Sequence, residues 1–320
     1  MRIFTIILAL LLASSAHAVD TQLITHLDDL WLRSGITSNS TLYGPSNSAG
    51  TWLAYQWSNS FPNGTQKPDA LPFQSVQCET VGNTNCFRAY AQDIKFNLFT
   101  NSGNRVVRIA TAGQNQPCYP GTGLGGAPYE QDAFVGPNII AGYPPGILSK
   151  PNLGSLTALT VNFTLNVKTA NMNTSGGCPI ILPAASQQTA LIVAWIFSST
   201  GGQTFYYQFA IGRFGFFQPA RAFNTSSAPA YLYSDNPLSY PNANFMGAGT
   251  VQGLAYAVNQ PIVVSLNILP VLSNLITTGG GGLDPVLADW TLNSFYFGHA
   301  TYGNIGLITE WSNISLVGSQ

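Results

Sequence analysis

From Leu159 to Val167 apolar and polar residues alternate without a break, as Leu-Thr-Val-Asn-Phe-Thr-Leu-Asn-Val. A period of two buries one face of a β-strand and leaves the other wet, so this segment predicts a strand at the surface of a core. Comparable segments at Thr51–Trp57, Asp93–Thr100, Arg105–Thr111, Ala158–Lys168, Ala190–Ser198, Thr204–Arg213 and Pro261–Leu269 are separated by turns rich in Gly, Pro, Asn and Ser. Short strands punctuated in this way along the whole chain predict an all-β sandwich or barrel. Ser199-Thr200-Gly201-Gly202 joins two of the strands and predicts a hairpin. Ala190–Phe197 is apolar throughout and too short to span a bilayer. Two segments read as helix. Leu23, Leu27, Leu30 and Leu32 lie near helical spacing within Thr21–Arg33, where a strand is the alternative, and Pro270–Ile276 precedes a run of four glycines that breaks it. The Pro- and Gly-rich stretch from Thr111 to Ser149 reads as a long ordered loop covering the sandwich.

The first residues follow a different rule. Arg2, the apolar run Ile3–Ala13 and the small-residue site Ser14-Ser15-Ala16-His17-Ala18 have the three parts of a secretory signal peptide. The expected organisation is therefore a leader at 1–18 and one β-sandwich domain at 19–320, exported to the extracellular space, the periplasm or the cell surface, with no integral membrane segment. Export changes the reading of Cys78, Cys86, Cys118 and Cys178: an even number in an oxidising compartment predicts two disulfides, for which Cys78–Cys86 and Cys118–Cys178 is the favoured pairing. No Cys or His spacing suits a metal, and no cofactor is expected. Six Asn-x-Ser/Thr sequons, at Asn39, Asn63, Asn162, Asn173, Asn224 and Asn313, matter only if the host glycosylates them.

Charge narrows the partners. Only 7% of residues are charged, 11 basic against 12 acidic, where about a quarter is usual. Without a basic face to displace counterions, nucleic-acid binding is excluded as an expectation. Uncharged hydroxyl and amide surface suits a neutral polysaccharide or glycan. Gly121-Thr122-Gly123-Leu124-Gly125-Gly126 matches the dinucleotide fingerprint in letters only, because no strand and helix flank it.

The stretch Trp290–Gly303, set between Pro261–Ile276 and Gly306–Leu316, resembles the last strands of a concanavalin A-like lectin/glucanase jelly roll. It is similar in particular to the jelly-roll endoglucanases that carry Gly-Phe-Glu-Pro-Trp near their C-terminus, and Leu191-Ile192-Val193-Ala194-Trp195 resembles their Glu-x-Met-Ile-Trp strand. The resemblance implies a two-sheet antiparallel jelly-roll sandwich with long loops and one or two short helices. It also implies that the nucleophile and the acid/base of those enzymes match Leu191 and Ala300 here. A retaining glycosidase needs two carboxylates about 5 Å apart, and neither residue supplies one.

The reading therefore favours a secreted, lectin-like carbohydrate-binding protein without catalytic residues. The candidate ligand-binding residues are Trp52, Tyr55, Trp57, Tyr302, Glu310 and Trp311. Aromatic faces stack on sugar rings, although a tryptophan in a sandwich strand also serves as core. The alternatives are a glycoside hydrolase or lyase with relocated carboxylates and a structural surface or matrix protein. For the hydrolase, Glu130 and Asp132 form a close acidic pair whose setting reads as a solvated loop, and Glu310 is the best single acid. His299 is a possible general base, against the reading of a strand histidine bonded to a neighbour.

Overall fold

A computed structural model describes residues 19–28, 30–33, 42–43, 51–57, 75–77, 87–90, 94–112, 130–139, 145–172, 188–215, 230–234, 243–246, 259–279, 282–302 and 305–320. The four cysteines, the leader, the glycine-rich 121–126 segment and the sequons at Asn39, Asn63, Asn173 and Asn224 lie outside the described residues.

The strands are β1 (Asp20–Gln22), β2 (Trp31–Arg33), β3 (Leu42–Tyr43), β4 (Trp52–Trp57), β5 (Ser75–Gln77), β6 (Phe87–Tyr90), β7 (Ile94–Asn101), β8 (Asn104–Ala112) and β9 (Glu130–Pro137). They continue as β10 (Ala158–Met172), β11 (Gln188–Ser199), β12 (Thr204–Gly215), β13 (Ala230–Ser234), β14 (Ala243–Met246), β15 (Ile262–Asn267), β16 (Trp290–Tyr302) and β17 (Ile305–Ser319). They form two sheets. The first runs β14-β15-β10-β17-β8-β7-β6-β5, with β1 also paired to β17, and the second runs β13-β12-β11-β16-β9-β4-β2-β3. This is the expected all-β, two-sheet jelly-roll sandwich. Pairing is antiparallel except at β12–β13 and β2–β4 in the second sheet, which are parallel.

The alternation seen in the sequence sets the core. Leu159, Val161, Phe163, Leu165 and Val167 are buried on β10 while the residues between them are half-buried. They meet Trp52, Val193, Trp195, Phe205, Tyr207, Phe295 and Phe297 of the second sheet in one continuous core. The hairpin predicted at Ser199–Gly202 joins β11 to β12. Trp311 of β17 bridges the layers, with its ring centroid 5.1 Å from Phe297 and 5.4 Å from Phe163.

The helix expected at Pro270–Ile276 is α1 (Leu269–Thr277). A proline in its first turn is pre-set for helix, and Leu269, Leu272 and Ile276 recur on the face that meets the core. Gly279, at φ +64°, donates its N–H to the Ile276 carbonyl and ends it.

Two expectations are corrected. Thr21–Arg33 is not a helix: it contributes β1, an isolated bridge from Ile24 to Ile147, and β2. Its backbone bonds go elsewhere, Leu23 N–H to Leu316 O and Thr25 N–H to Gly146 O. Leu23, Ile24, Leu27 and Leu30 are nevertheless all buried, so a winding extended segment satisfies the spacing that suggested a helix. Tertiary burial outweighs the weak local preference. Thr111–Ser149 is likewise not wholly loop, because it contains β9, a central strand of the second sheet. Its apolar trio Ala133-Phe134-Val135 is buried on both faces, a pattern that does not show as alternation.

Candidate functional site

The second sheet has an inner face against the first sheet and an outer face away from it. Trp195 and Phe297 are in the sandwich core, whereas Phe134, Ile192, Ala194 and Tyr296 form a separate buried cluster with half-buried Ile196 and Tyr206 packed on it. Alternation fixes that cluster on the outer face. Phe134 and Tyr296 meet edge to face with centroids 5.2 Å apart.

The ladder then extends this face in rows, since directly paired residues share a side of the sheet. Tyr55 pairs with Phe134, Phe134 with Gly298, and Gly298 with Ile192. One step along the strands, Trp57 pairs with Asp132, Asp132 with Ala300, Ala300 with Ala190, and Ala190 with Arg213. A further step gives Glu130, Tyr302 and Gln188. Three of the six candidate ligand-binding residues, Tyr55 and Trp57 on β4 and Tyr302 on β16, therefore register on one face of the strands that flank β9. With strands about 4.8 Å apart and about 6.8 Å per two residues, Trp57 and Tyr302 stand roughly 12 Å apart at the backbone.

The other three lie elsewhere. Trp52 and Trp311 are wholly buried between the sheets. Their indole N–H groups are satisfied inside, Trp52 Nε1 by His26 O at 3.0 Å and Trp311 Nε1 by Thr309 Oγ1 at 2.9 Å. Neither offers a face to a ligand: both are core residues, the other reading open to a sandwich tryptophan. Glu310 is on the outer face of the first sheet, where its Oε1 accepts from Arg108 Nε at 3.0 Å and Nη2 at 2.5 Å. The Arg108 guanidinium also lies 5.1 Å from the Phe99 ring centroid. Glu310 is an ion-paired, largely covered acid of the first sheet, on a different face from the aromatic rows.

What the sequence reading missed is the setting of Glu130 and Asp132. They are alternate residues of a central strand, not of a loop, and they share the face that registers Tyr55, Trp57 and Tyr302. The apolar trio that follows them was the available signal. The register also revises the resemblance. Leu191 belongs to the inner core, so the residue beside Ala300 on the outer face is Ala190. Both positions are alanine. His299 is buried in the sandwich core, with its ring nitrogens on Thr111 and Thr309, and so is not a base at an open face.

No family model matches the chain, and no curated protein matches it. Solved structures similar to it include the endoglucanase 3 of family 12 from Trichoderma harzianum, 9% identical over 77% of this chain and 96% of that one, with a TM-score of 0.36. The family 12 xyloglucanase from Bacillus licheniformis in complex with ligand is 10% identical over 83% and 99%, with a TM-score of 0.39. The family 11 xylanase from Neocallimastix patriciarum is 10% identical over 74% and 93%, with a TM-score of 0.27. Among the described residues no helix is long and apolar enough to cross a membrane, and no group of three His, Cys, Asp or Glu residues could hold a metal ion.

Proposed function

We propose that this chain is a secreted, non-catalytic carbohydrate-binding protein that holds a neutral polysaccharide or glycan on the outer face of its second sheet. The observation that carries the reading is the register that gathers Tyr55 and Trp57 of β4 and Tyr302 of β16 onto one face, on either side of β9. Rings set on a rigid sheet stack on sugars with little loss of freedom, and amide and hydroxyl neighbours hydrogen-bond the hydroxyl groups. Ala190 and Ala300, at the paired positions of β11 and β16, carry no proton and no nucleophile. Export is supported by the leader pattern at residues 1–18. Retention on immobilised polysaccharides tests the reading: Trp57→Ala and Tyr302→Ala should each weaken retention at least tenfold, as losing a central aromatic anchor does. No retention across a broad panel of neutral glycans overturns it.

A second reading, a glycoside hydrolase with relocated carboxylates, is favoured by the placing of Glu130 and Asp132 on β9. Alternate residues of a strand lie about 7 Å apart at the backbone, a spacing compatible with a catalytic carboxyl pair. Release of reducing sugar that disappears in Glu130→Gln and Asp132→Asn would establish it over the first. Retention without release leaves the binding protein.

A further inference from the structure

Directly behind the outer rows, on the inner side of β16, lies the one described histidine in the core. His299 stands between Gly298 and Ala300, both in the outer rows, and is itself wholly buried. Its Nε2 is 3.2 Å from Thr111 Oγ1 on β8, and its Nδ1 is 3.2 Å from Thr309 Oγ1 on β17. One ring thus joins the second sheet to two neighbouring strands of the first. Thr309 Oγ1 is also 2.9 Å from Trp311 Nε1.

The Trp311 indole anchors one end of this chain. An indole N–H can only donate, so Thr309 Oγ1 accepts from Trp311 and is free to give its own hydrogen to His299 Nδ1. The ring's hydrogen then belongs on Nε2, from which it is donated to Thr111. Each partner is satisfied once while the imidazole is neutral. A second ring proton would set Nδ1–H against the Thr309 hydroxyl hydrogen and leave a unit charge between two apolar layers. Among the described residues nothing nearby offsets that charge. The described inward-facing neighbours are Val107, Ile109 and Thr111 of β8, Ala133 and Val135 of β9, Leu191 and Val193 of β11, and Leu307 and Trp311 of β17. None of them titrates. Arg108 and Glu310 are on the far face of the first sheet, and alternation registers Glu130 and Asp132 on the far face of the second.

We infer that His299 is an acid-sensitive latch between the sheets, locked as its Nε2–H tautomer by Thr111 and Thr309 and released when the ring takes a second proton. Burial lowers its pKa from the usual 6.5 to about 3, in the sense this geometry requires. The unfolded chain binds a proton below about pH 6.5 and the folded chain does not until about pH 3. The contribution is therefore complete above pH 6.5 and declines as pH falls between those values, by up to tenfold in the folding equilibrium per pH unit. Acidification in this range therefore weakens the whole fold, the strand that carries Ala300 and Tyr302 included.

The test is urea unfolding of the wild type and His299→Gln from pH 7 to pH 4.5. Between these limits the wild type should lose about a hundredfold more in its folding equilibrium constant than the variant, because other titrating groups are common to both. Equal losses overturn the latch. Nitrogen-15 spectra of the wild-type ring give an answer even if the variant does not fold. A protonated Nε2 and an unprotonated Nδ1 that persist below pH 6 support the latch, whereas titration near 6.5, or a hydrogen on Nδ1, refutes it.

Discussion

The outer faces of the two sheets are built from the same strand alternation and end up unlike each other. On the first sheet, polar groups satisfy one another across the ladder. Arg108 holds Glu310, Asn162 Nδ2 donates to Ser315 Oγ at 3.0 Å, and Asn313 Nδ2 donates to Thr164 Oγ1 at 3.2 Å. On the second sheet the corresponding positions are Phe134, Ile192, Ala194 and Tyr296, all buried. A sheet with one wet face needs only one apolar side per strand, whereas a sheet covered on both sides takes apolar residues at every position. The molecule therefore has a layer whose two faces are both committed to packing. The proposed binding rows begin at the end of that layer, where the outer face changes from Phe134 and Ile192 to Asp132, Ala300 and Glu130.

This contrast should break most visibly at Ala194. Ala194→Asp puts a carboxylate into the buried outer cluster and should cost about 3–5 kcal/mol, as an uncompensated buried charge does. Asn162→Asp, on the first sheet's outer face, should stay within about 0.5 kcal/mol. Equal small effects in chemical denaturation would mean that the second sheet's outer face is open across its centre. Gly298→Ala follows: a Cβ there would lie 2.1 Å from the Ala133 carbonyl oxygen, so strands β9 and β16 must separate, at about 2–4 kcal/mol. Ile192→Ala should cost about 2–4 kcal/mol by leaving a cavity, while Val263→Ala, at 46% exposure on the first sheet, should cost under about 0.5 kcal/mol. Thermal melts of this pair measure the asymmetry directly. Arg108→Ala should do less than any of the three changes on the second sheet's outer face. With 41% of the Arg108 side chain exposed, the loss should be under about 1 kcal/mol, and glycan retention should not change.

The sequence made the wet-faced sheet legible and obscured the doubly covered one. Leu159–Val167 announces its period, so β10 and its inner residues follow at once. β11 was found as a strand because Ala190–Phe197 is short and rich in Ile and Val, but a continuous apolar run does not say which residues face which way. That ambiguity is why the resemblance fell on Leu191, an inner residue, whereas the outer-face residue paired with Ala300 is Ala190. β9 was lost to the prolines and glycines around it, and with it the strand setting of Glu130 and Asp132. Of the aromatics, Trp52 and Trp57 were both candidates, and parity along one strand sets them on opposite faces; which face is inner came only with the register, which places Trp52 inside and Trp57 in an outer row. His299 read as a strand histidine bonded to a neighbour, but its partners could not be named, since Thr111 lies far away in sequence and meets the ring only once the sheets stack.

Asp20 pairs with Ser319, and Val19 and Gln320 exchange backbone hydrogen bonds. Anything joined before the one or after the other departs from a single corner of the first sheet. Pulled apart by those two ends, β1 would open from β17 one rung at a time instead of shearing the ladder as a whole.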